Sequence, residues 1–275
     1  MKVTVIIPVY NEQKSIEACL TSILAQTYKN YSVVVVDDGS TDDTPTILSR
    51  YVSDKVEVIS GNHKGAGAAR NSGARIADGD IYVFFDADMT AAPTFLADLV
   101  APIVAKKAIG TTSHDESVSN WDNVWARSTN IEEGWLAGKR HSAVVKKDPV
   151  FRAILASEFK RVGGFTPGGY TDDYTLFQKL GEYPVVTKAP FSHANPDSLF
   201  EVYRQAIWAA KRRYKLGLVG ALIAIARANP LFSLALGGIR AVTHKTPFYI
   251  LFKLVYDWGT IVGITRYLIT GSGEK

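Results

Sequence analysis

The sequence predicts an α/β fold, a doubly wound and mostly parallel sheet, followed by a C-terminal set of apolar and amphipathic helices. Three observations lead there. Over residues 3–90, runs of branched apolar residues alternate with segments of helical period, and strand–helix–strand repetition implies parallel pairing through right-handed crossovers. Three of these runs stop at polar clusters, Tyr10-Asn11-Glu12, Asp37-Asp38 and Asp86/Asp88, where open α/β sheets place their ligands. Beyond about Lys215 the composition shifts to long uncharged stretches.

Residues 3–9 form the first predicted strand, and 12–26 a helix with Ile16, Leu20, Ile23 and Leu24 at helical spacing. A branched run, 31–36, is the second strand; it ends in an acidic turn whose Asp42 or Asp43 caps a helix over 44–51. A strand over 56–59, an Ala-rich helix over 65–77 and a strand over 81–85 complete a nucleotide-binding half, 1–90. In the second half, 91–215, a helix over 94–109 leads to an irregular stretch, 111–148, with Trp121, Trp125 and Trp135. An edge strand near 153–156, a short helix ending at Gly163-Gly164-Phe165, a helix starting at Asp172-Asp173, a last strand over 185–188 and a helix over 197–215 follow. That last helix ends in Lys211-Arg212-Arg213.

The chain has 275 residues, 47% of them hydrophobic, enough to bury a sizeable core. Its net charge of +4 is mild, and it lacks the basic stripes interleaved with aromatics of a nucleic-acid binder. Its single cysteine, Cys19, allows no internal disulfide, fits a reducing compartment and reads as a core residue. The N-terminal apolar run, interrupted at Pro8, is too short for a signal peptide.

After Lys215, stretches 216–226 and 228–239 carry no charge, and 247–270 is apolar with sparse charges. Arg227, Arg240, Lys253, Asp257 and Arg266 interrupt them, so none reaches the roughly 20 residues of a membrane span. On a helical wheel Tyr249, Lys253, Tyr256, Asp257, Thr260 and Tyr267 form one stripe, and Leu251, Leu254, Trp258, Ile261, Leu268 and Ile269 face the other way. Residues 216–275 are expected to lie in a membrane interface, apolar face down; ordinary core packing is the alternative.

Asp86 and Asp88 leave a buried strand with one residue between them. Strand residues two apart share a face, so the two carboxylates are placed to attract a divalent cation; merely ending the strand is the alternative. Capping by Asp42 or Asp43 frees Asp37 and Asp38 for a ligand. Arg70 starts from a glycine-rich helix entrance at Gly65 and Gly67, where backbone N–H groups and a guanidinium meet a phosphate or ribose. Gly65-x-Gly67-x-x-Arg70 imitates a dinucleotide fingerprint, but the third position requires Gly or Ala, which argues against an oxidoreductase.

Ile6-Ile7-Pro8-Val9-Tyr10-Asn11-Glu12, Val35-Val36-Asp37-Asp38-Gly39-Ser40-Thr41-Asp42, Gly67-Ala68-Ala69-Arg70-Asn71-Ser72-Gly73 and Phe85-Asp86-Ala87-Asp88 together resemble the opening of family 2 inverting glycosyltransferases. The resemblance covers residues 3–90 and extends more loosely to about 215. It implies a GT-A fold, a UDP- or GDP-sugar donor and a Mg²⁺ or Mn²⁺ ion that bridges the leaving diphosphate. By the same likeness Asp88 is the first choice of metal ligand, and Asp86 a second ligand, a water-mediated ligand or a ribose contact. Asp37 and Asp38 serve the base or ribose, Pro8, Tyr10 and Glu12 frame the base, and Gly67 and Arg70 meet the donor. His193 lies where many members hold the metal or diphosphate; a surface histidine is the alternative. Asp172-Asp173-Tyr174-Thr175-Leu176 matches the family's Glu-Asp-x-x-Leu-like motif, with Asp173 at the base position and Asp172 replacing Glu.

Lys211, Arg212 and Arg213 are expected on the diphosphate or on an anionic membrane surface, and the three tryptophans on an acceptor wall. Arg204-Gln205-Ala206-Ile207-Trp208 departs from the Gln-x-x-Arg-Trp of processive synthases. A base is needed for a hydroxyl acceptor and not for a phosphate. The expected enzyme therefore sits, peripheral or monotopic, on the cytoplasmic side of the cell membrane and glycosylates a lipid-linked or lipid-headgroup hydroxyl. The alternatives are a soluble glycosyltransferase for polysaccharide precursors, a polyprenyl-phosphate glycosyltransferase, and an inactive nucleotide-binding scaffold.

Overall fold

The computed structural model describes residues 1–142, 148–166, 172–210, 214 and 216–270. The chain divides into two compact units, Met1–Ser117 with Val144–His193 and Val118–Ala143 with Ala194–Lys275. The division expected at 215 therefore falls earlier, and the helix before it belongs with the C-terminal helices.

The first unit opens with β1 (Val3–Val9), α1 (Ile16–Leu24), β2 (Tyr31–Asp37), α2 (Thr44–Leu48), β3 (Val56–Ser60), α3 (Ala66–Ile76) and β4 (Ile81–Phe84). Then come β5 (Met89–Ala91), α4 (Phe95–Val104), β6 (Gly110–Ser113) and β7 (Glu116–Val118). Helix α5 (Val124–Glu133) lies in the second unit, and the chain returns with β8 (Ala153–Leu155), α6 (Ala156–Arg161), a 3-10 turn (Asp172–Tyr174), α7 (Thr175–Leu180), β9 (Val185–Thr187) and β10 (Phe191–His193).

Seven strands form the main sheet in the order β3-β2-β1-β4-β8-β6-β9. β3, β2, β1 and β4 are parallel, as the strand–helix alternation requires. β8 runs antiparallel to both β4 and β6, so it is an interior strand and not the expected edge. The alternation of side chains builds two cores. Val5, Ile7 and Val9 of β1 join Ile16, Leu20, Leu48, Phe95 and Leu99 on one face, while Ile6 joins Tyr82, Phe84, Ala74, Phe159 and Leu176 on the other. Three helices thus cover each face, the doubly wound arrangement. A second, three-stranded sheet has the order β5-β10-β7. In it His193 pairs with Met89, directly after Asp88, and the expected last strand, β9, is followed by β10.

The second unit holds α5, α8 (Leu199–Ala210), α9 (Gly217–Arg227), α10 (Pro230–Thr243) and α11 (Tyr249–Thr270). No single helix among the described residues is long and apolar enough to cross a membrane; α9 and α10 together are, and they meet at a 63° bend. In α11 the polar stripe is the buried one and the apolar face turns outward. Lys253 and Asp257 are 7% and 5% exposed, whereas Trp258 and Ile269 are 59% and 79% exposed. The reason is charge pairing over long sequence distance. Lys253 Nζ reaches Glu132 Oε1 at 2.8 Å and Asp257 Oδ1 at 2.9 Å, and Arg240 Nη1 reaches Glu132 Oε2 at 2.8 Å. Tyr249 also donates to Glu132, and Ser233 Oγ to Asp257 Oδ2 at 2.6 Å. Buried charges persist only when compensated in this way.

Two glycines let α11 close on α8. A Cβ at Gly263 would stand 2.5 Å from Ile207 O, and one at Gly259 2.8 Å from Ala206 Cβ. Trp125 of α5 packs edge-on against Phe248, and Trp135 lies under Arg140, so both are engaged within this unit. Gly263→Ala is expected to destabilise the chain by about 1–3 kcal/mol through overpacking. Gly238→Ala, where a Cβ meets nothing within 4 Å, should be neutral or mildly stabilising. Urea unfolding of the two variants decides this, and equal midpoints would contradict the close α8–α11 approach.

Candidate active site

The described candidate residues of the donor, metal and base sites lie in the first unit. Lys211, Arg212 and Arg213 lie outside the described residues, as does the side chain of Asp172. The remainder gather at the carboxyl ends of β1, β2 and β4 and on the turns that face them.

The loops after β1 and β2 are laced together. Asn11, at φ 54°, accepts from Thr41 N through its side chain at 2.8 Å and gives its own N–H to Ser40 Oγ at 2.9 Å. Glu12 N donates to Thr44 Oγ1 at 2.9 Å. Asp42, as expected, takes Thr44 N at 3.0 Å. Asp37 is not freed by that cap, because its Oδ1 closes the turn by accepting from Ser40 N at 2.9 Å. Asp38 is likewise engaged: it accepts from Lys64 N at 2.9 Å and Gly65 N at 2.6 Å, which fixes the loop entering α3. The two carboxylates therefore shape the walls of a site. Pro8 ends β1 beside Val36, and the half-exposed Tyr10 lies 3.9 Å, ring centre to ring centre, from His63. His63 Nδ1 stands 3.7 Å from Asp38 Oδ2. Tyr10, His63 and Asp38 make an aromatic and acidic corner; His63 carried no sequence signal, since it belongs to no motif. Gly67 is buried in the first turn of α3.

Two charged groups occupy the other strand end, and they divide Asp86 from Asp88. β4 stops at Phe84, and Met89 N donates back to Asp86 O at 3.2 Å, so residues 86–89 form a turn in which strand alternation no longer holds. Their relation is therefore set by the turn and not by the strand period. Asp86 Oδ1 takes Arg70 Nη2 at 2.7 Å. Arg70 Nη1 donates to Asp173, so one buried guanidinium ties Asp86 to Asp173. The Arg70 guanidinium also lies over the Phe165 ring at 5.6 Å. Asp173 sits in the 3-10 turn ahead of α7, whose cap position is Tyr174, so its carboxylate serves Arg70 and not the helix end.

Asp88 Oδ2 lies 2.8 Å from His193 Nε2, and His193 Nδ1 lies 3.1 Å from Glu116 Oε1. Among the described residues no three His, Cys, Asp or Glu side chains converge as a ready cage for a metal. An O,N pair such as Asp88 and His193 still fits Mg²⁺ or Mn²⁺: ligands on adjacent corners of an octahedron with bonds of about 2.1 Å lie about 3.0 Å apart. The rest of the shell would come from diphosphate and water oxygens.

Glu12 lies close enough to Asp88 and His193 to feel their charges. Burial pushes its carboxyl from an ordinary 4.5 up to about 7; the Ser15 hydroxyl, 2.6 Å away, pulls the other way, and the Asp88 charge adds to the rise. Cys19 is fully buried as expected, donates to Asp86 O, and burial pushes its thiol up.

A family model described as glycosyl transferase family 2 matches residues 4–156. UDP-Glc:alpha-D-GlcNAc-diphosphoundecaprenol beta-1,3-glucosyltransferase WfaP of Escherichia coli is 41% identical over 87 residues, 31% of this chain and 35% of that protein. Mannosyltransferase PcManGT from Pyrobaculum calidifontis, solved with GDP-Man and Mn²⁺, superposes at a TM-score of 0.57 and 24% identity, over 98% of this chain and 79% of that one. TarS 1-349 of S. aureus with UDP-GlcNAc gives a TM-score of 0.56 at 18% identity, over 99% and 93%. These structural likenesses establish the GT-A fold. The chain spans less than half the length of the first curated relatives it matches.

The raised Glu12 carboxyl makes a stability prediction. Its contribution is full below 4.5 and is lost as pH rises through about 7, because the folded state resists ionisation. Without metal, Glu12→Gln should be more stable than the parent at pH 8, by on the order of 2 kcal/mol, and equal to it at pH 4. Urea unfolding in EDTA at both pH values checks this; a gain of the same size at both would contradict it.

Proposed function

Because the chain belongs to glycosyl transferase family 2, we propose that it moves a sugar from a UDP- or GDP-sugar to an acceptor hydroxyl, inverting the anomeric centre. The observation that carries this reading is the pair of clusters at the end of β4: Asp88 with His193 on one side, Asp86 and Asp173 joined by Arg70 on the other.

In this mechanism the corner of Tyr10, His63 and Asp38 receives the base, with the exposed ring of Tyr10 as a stacking surface. Asp86, anchored by Arg70, faces the ribose. Asp88 and His193 would hold Mg²⁺ or Mn²⁺, and the ion, when bound, neutralises charge gathering on the leaving diphosphate. Asp173 takes the proton of the acceptor hydroxyl as its oxygen attacks the anomeric carbon. Arg70 holds that carboxylate in place through its other guanidinium nitrogen.

The acceptor we propose is lipid-linked, on a membrane surface at the cytoplasmic side. WfaP, by its name, acts on a diphosphoundecaprenol-linked sugar. The inside-out second unit supports the same reading. Leu231 and Val242 of α10 are 78% and 81% exposed. The hydroxyls of Thr243, Thr260, Thr265 and Thr270 each bond the carbonyl four residues earlier, which satisfies them where no water is present. A bilayer interface suits such a face better than water.

Nucleotide release from a panel of UDP- and GDP-sugars, with Mg²⁺, Mn²⁺ or EDTA and with or without lipid extract, tests the activity. Release should require metal and rise with lipid; no release from any donor would favour the inactive scaffold. Asp173→Asn should lower kcat about 10²–10⁴-fold with nucleotide affinity unchanged, and near-parental turnover would remove Asp173 from the base role. Val242→Glu with Leu231→Glu should shift the chain from the pellet to the supernatant in vesicle sedimentation, and unchanged pelleting would contradict the bilayer assignment.

A further inference from the structure

Resting on the metal-site reading above, we propose that Glu116 is a positioning residue, one that orients the His193 ring so that Nε2 faces a divalent cation beside Asp88. Glu116 belongs to none of the motifs that mark the donor site.

The second sheet brings the three residues together. β10 lies between β5 and β7, His193 pairs with Met89 of β5, and Glu116 opens β7 on the opposite side. The imidazole is therefore flanked by carboxylates at both nitrogens, Asp88 Oδ2 at 2.8 Å from Nε2 and Glu116 Oε1 at 3.1 Å from Nδ1. An ionised carboxylate only accepts, so each contact calls for a proton on the nitrogen it meets; once an ion takes the place of the proton between Nε2 and Asp88, the Glu116 contact keeps the remaining proton on Nδ1. That assignment leaves the Nε2 lone pair for an ion, the arrangement in which a metal-bound histidine gives its other N–H to a carboxylate.

Exposure separates the roles. The Asp88 side chain is 42% exposed, while those of His193 and Glu116 are 15% and 16% exposed. The more open carboxylate is placed to meet a ligand, and the sheltered one stands behind the ring. Glu116 is itself held. Arg152 Nη2 lies 4.0 Å from Glu116 Oε2, its guanidinium is 4.4 Å from the centre of the Phe191 ring, and its Nη1 reaches Met89 Sδ at 3.5 Å. Arg152, Phe191 and Met89 thus form a frame around the acid. A Glu116 that only paired with Arg152 would need no histidine on its other oxygen.

The test is Mn²⁺ affinity by EPR titration of the full chain with UDP present, on the parent, Glu116→Gln, His193→Ala and Asp88→Asn. Glu116→Gln keeps the shape and removes the charge; it should weaken Mn²⁺ about 10–100-fold. His193→Ala and Asp88→Asn should weaken it at least as much. If those two fail and Glu116→Gln binds like the parent, the positioning role is overturned while the metal site stands. If neither changes Mn²⁺ affinity, the metal reading is itself wrong and the proposal falls with it. Should Glu116→Gln not fold, long-range ¹H–¹⁵N spectra of the parent loaded with Mg²⁺ and UDP decide. They should place the His193 proton on Nδ1; a proton on Nε2 overturns the proposal.

Discussion

The site turns on a single buried guanidinium. Arg70 is 6% exposed, and a buried cation survives only with anions around it. Its two nitrogens take Asp86 from the β4 end and Asp173 from the turn before α7. Asp88, two residues on, pairs instead with His193. The short Asp-x-Asp stretch thus supplies one carboxylate to each of two ionic clusters.

Charge pairing across long sequence distance also organises the second unit. Glu132, Arg240, Lys253 and Asp257 form a sheltered seam of two acids and two bases. With Lys253 and Asp257 turned inward, α11 presents Trp258 and Ile269 outward. Such seams are modest sources of net stability but strong determinants of which face packs, since removal of one partner leaves an uncompensated charge.

The parallel half was legible because each element carries its own signal. β1, β2 and β4 are largely apolar, almost wholly buried runs, covered on both faces, and their ends coincide with the motifs. Asp88 and His193, named separately from the sequence, are brought together; Arg70 and Asp173 are too, but as partners of each other. The region after Ile109 was less legible because its strands, such as β7, β8 and β10, have three residues each and draw their identity from tertiary pairing. That is why β8 was misplaced at an edge and Glu116 was overlooked. For α11 the two faces were read correctly, and the apolar one is the outward one; what periodicity does not show is the partner of the polar face, Glu132, which lies 121 residues from Lys253.

The central claim is that Asp88 and His193 hold the ion while Asp86 stays with Arg70. Anomalous diffraction from crystals of the Asp173→Asn chain grown with UDP and Mn²⁺ tests it most directly. The account predicts one manganese peak within bonding distance of the Asp88 carboxylate, His193 Nε2 and the diphosphate, with Asp86 on Arg70. A peak bound by Asp86, or one out of reach of His193, would contradict it.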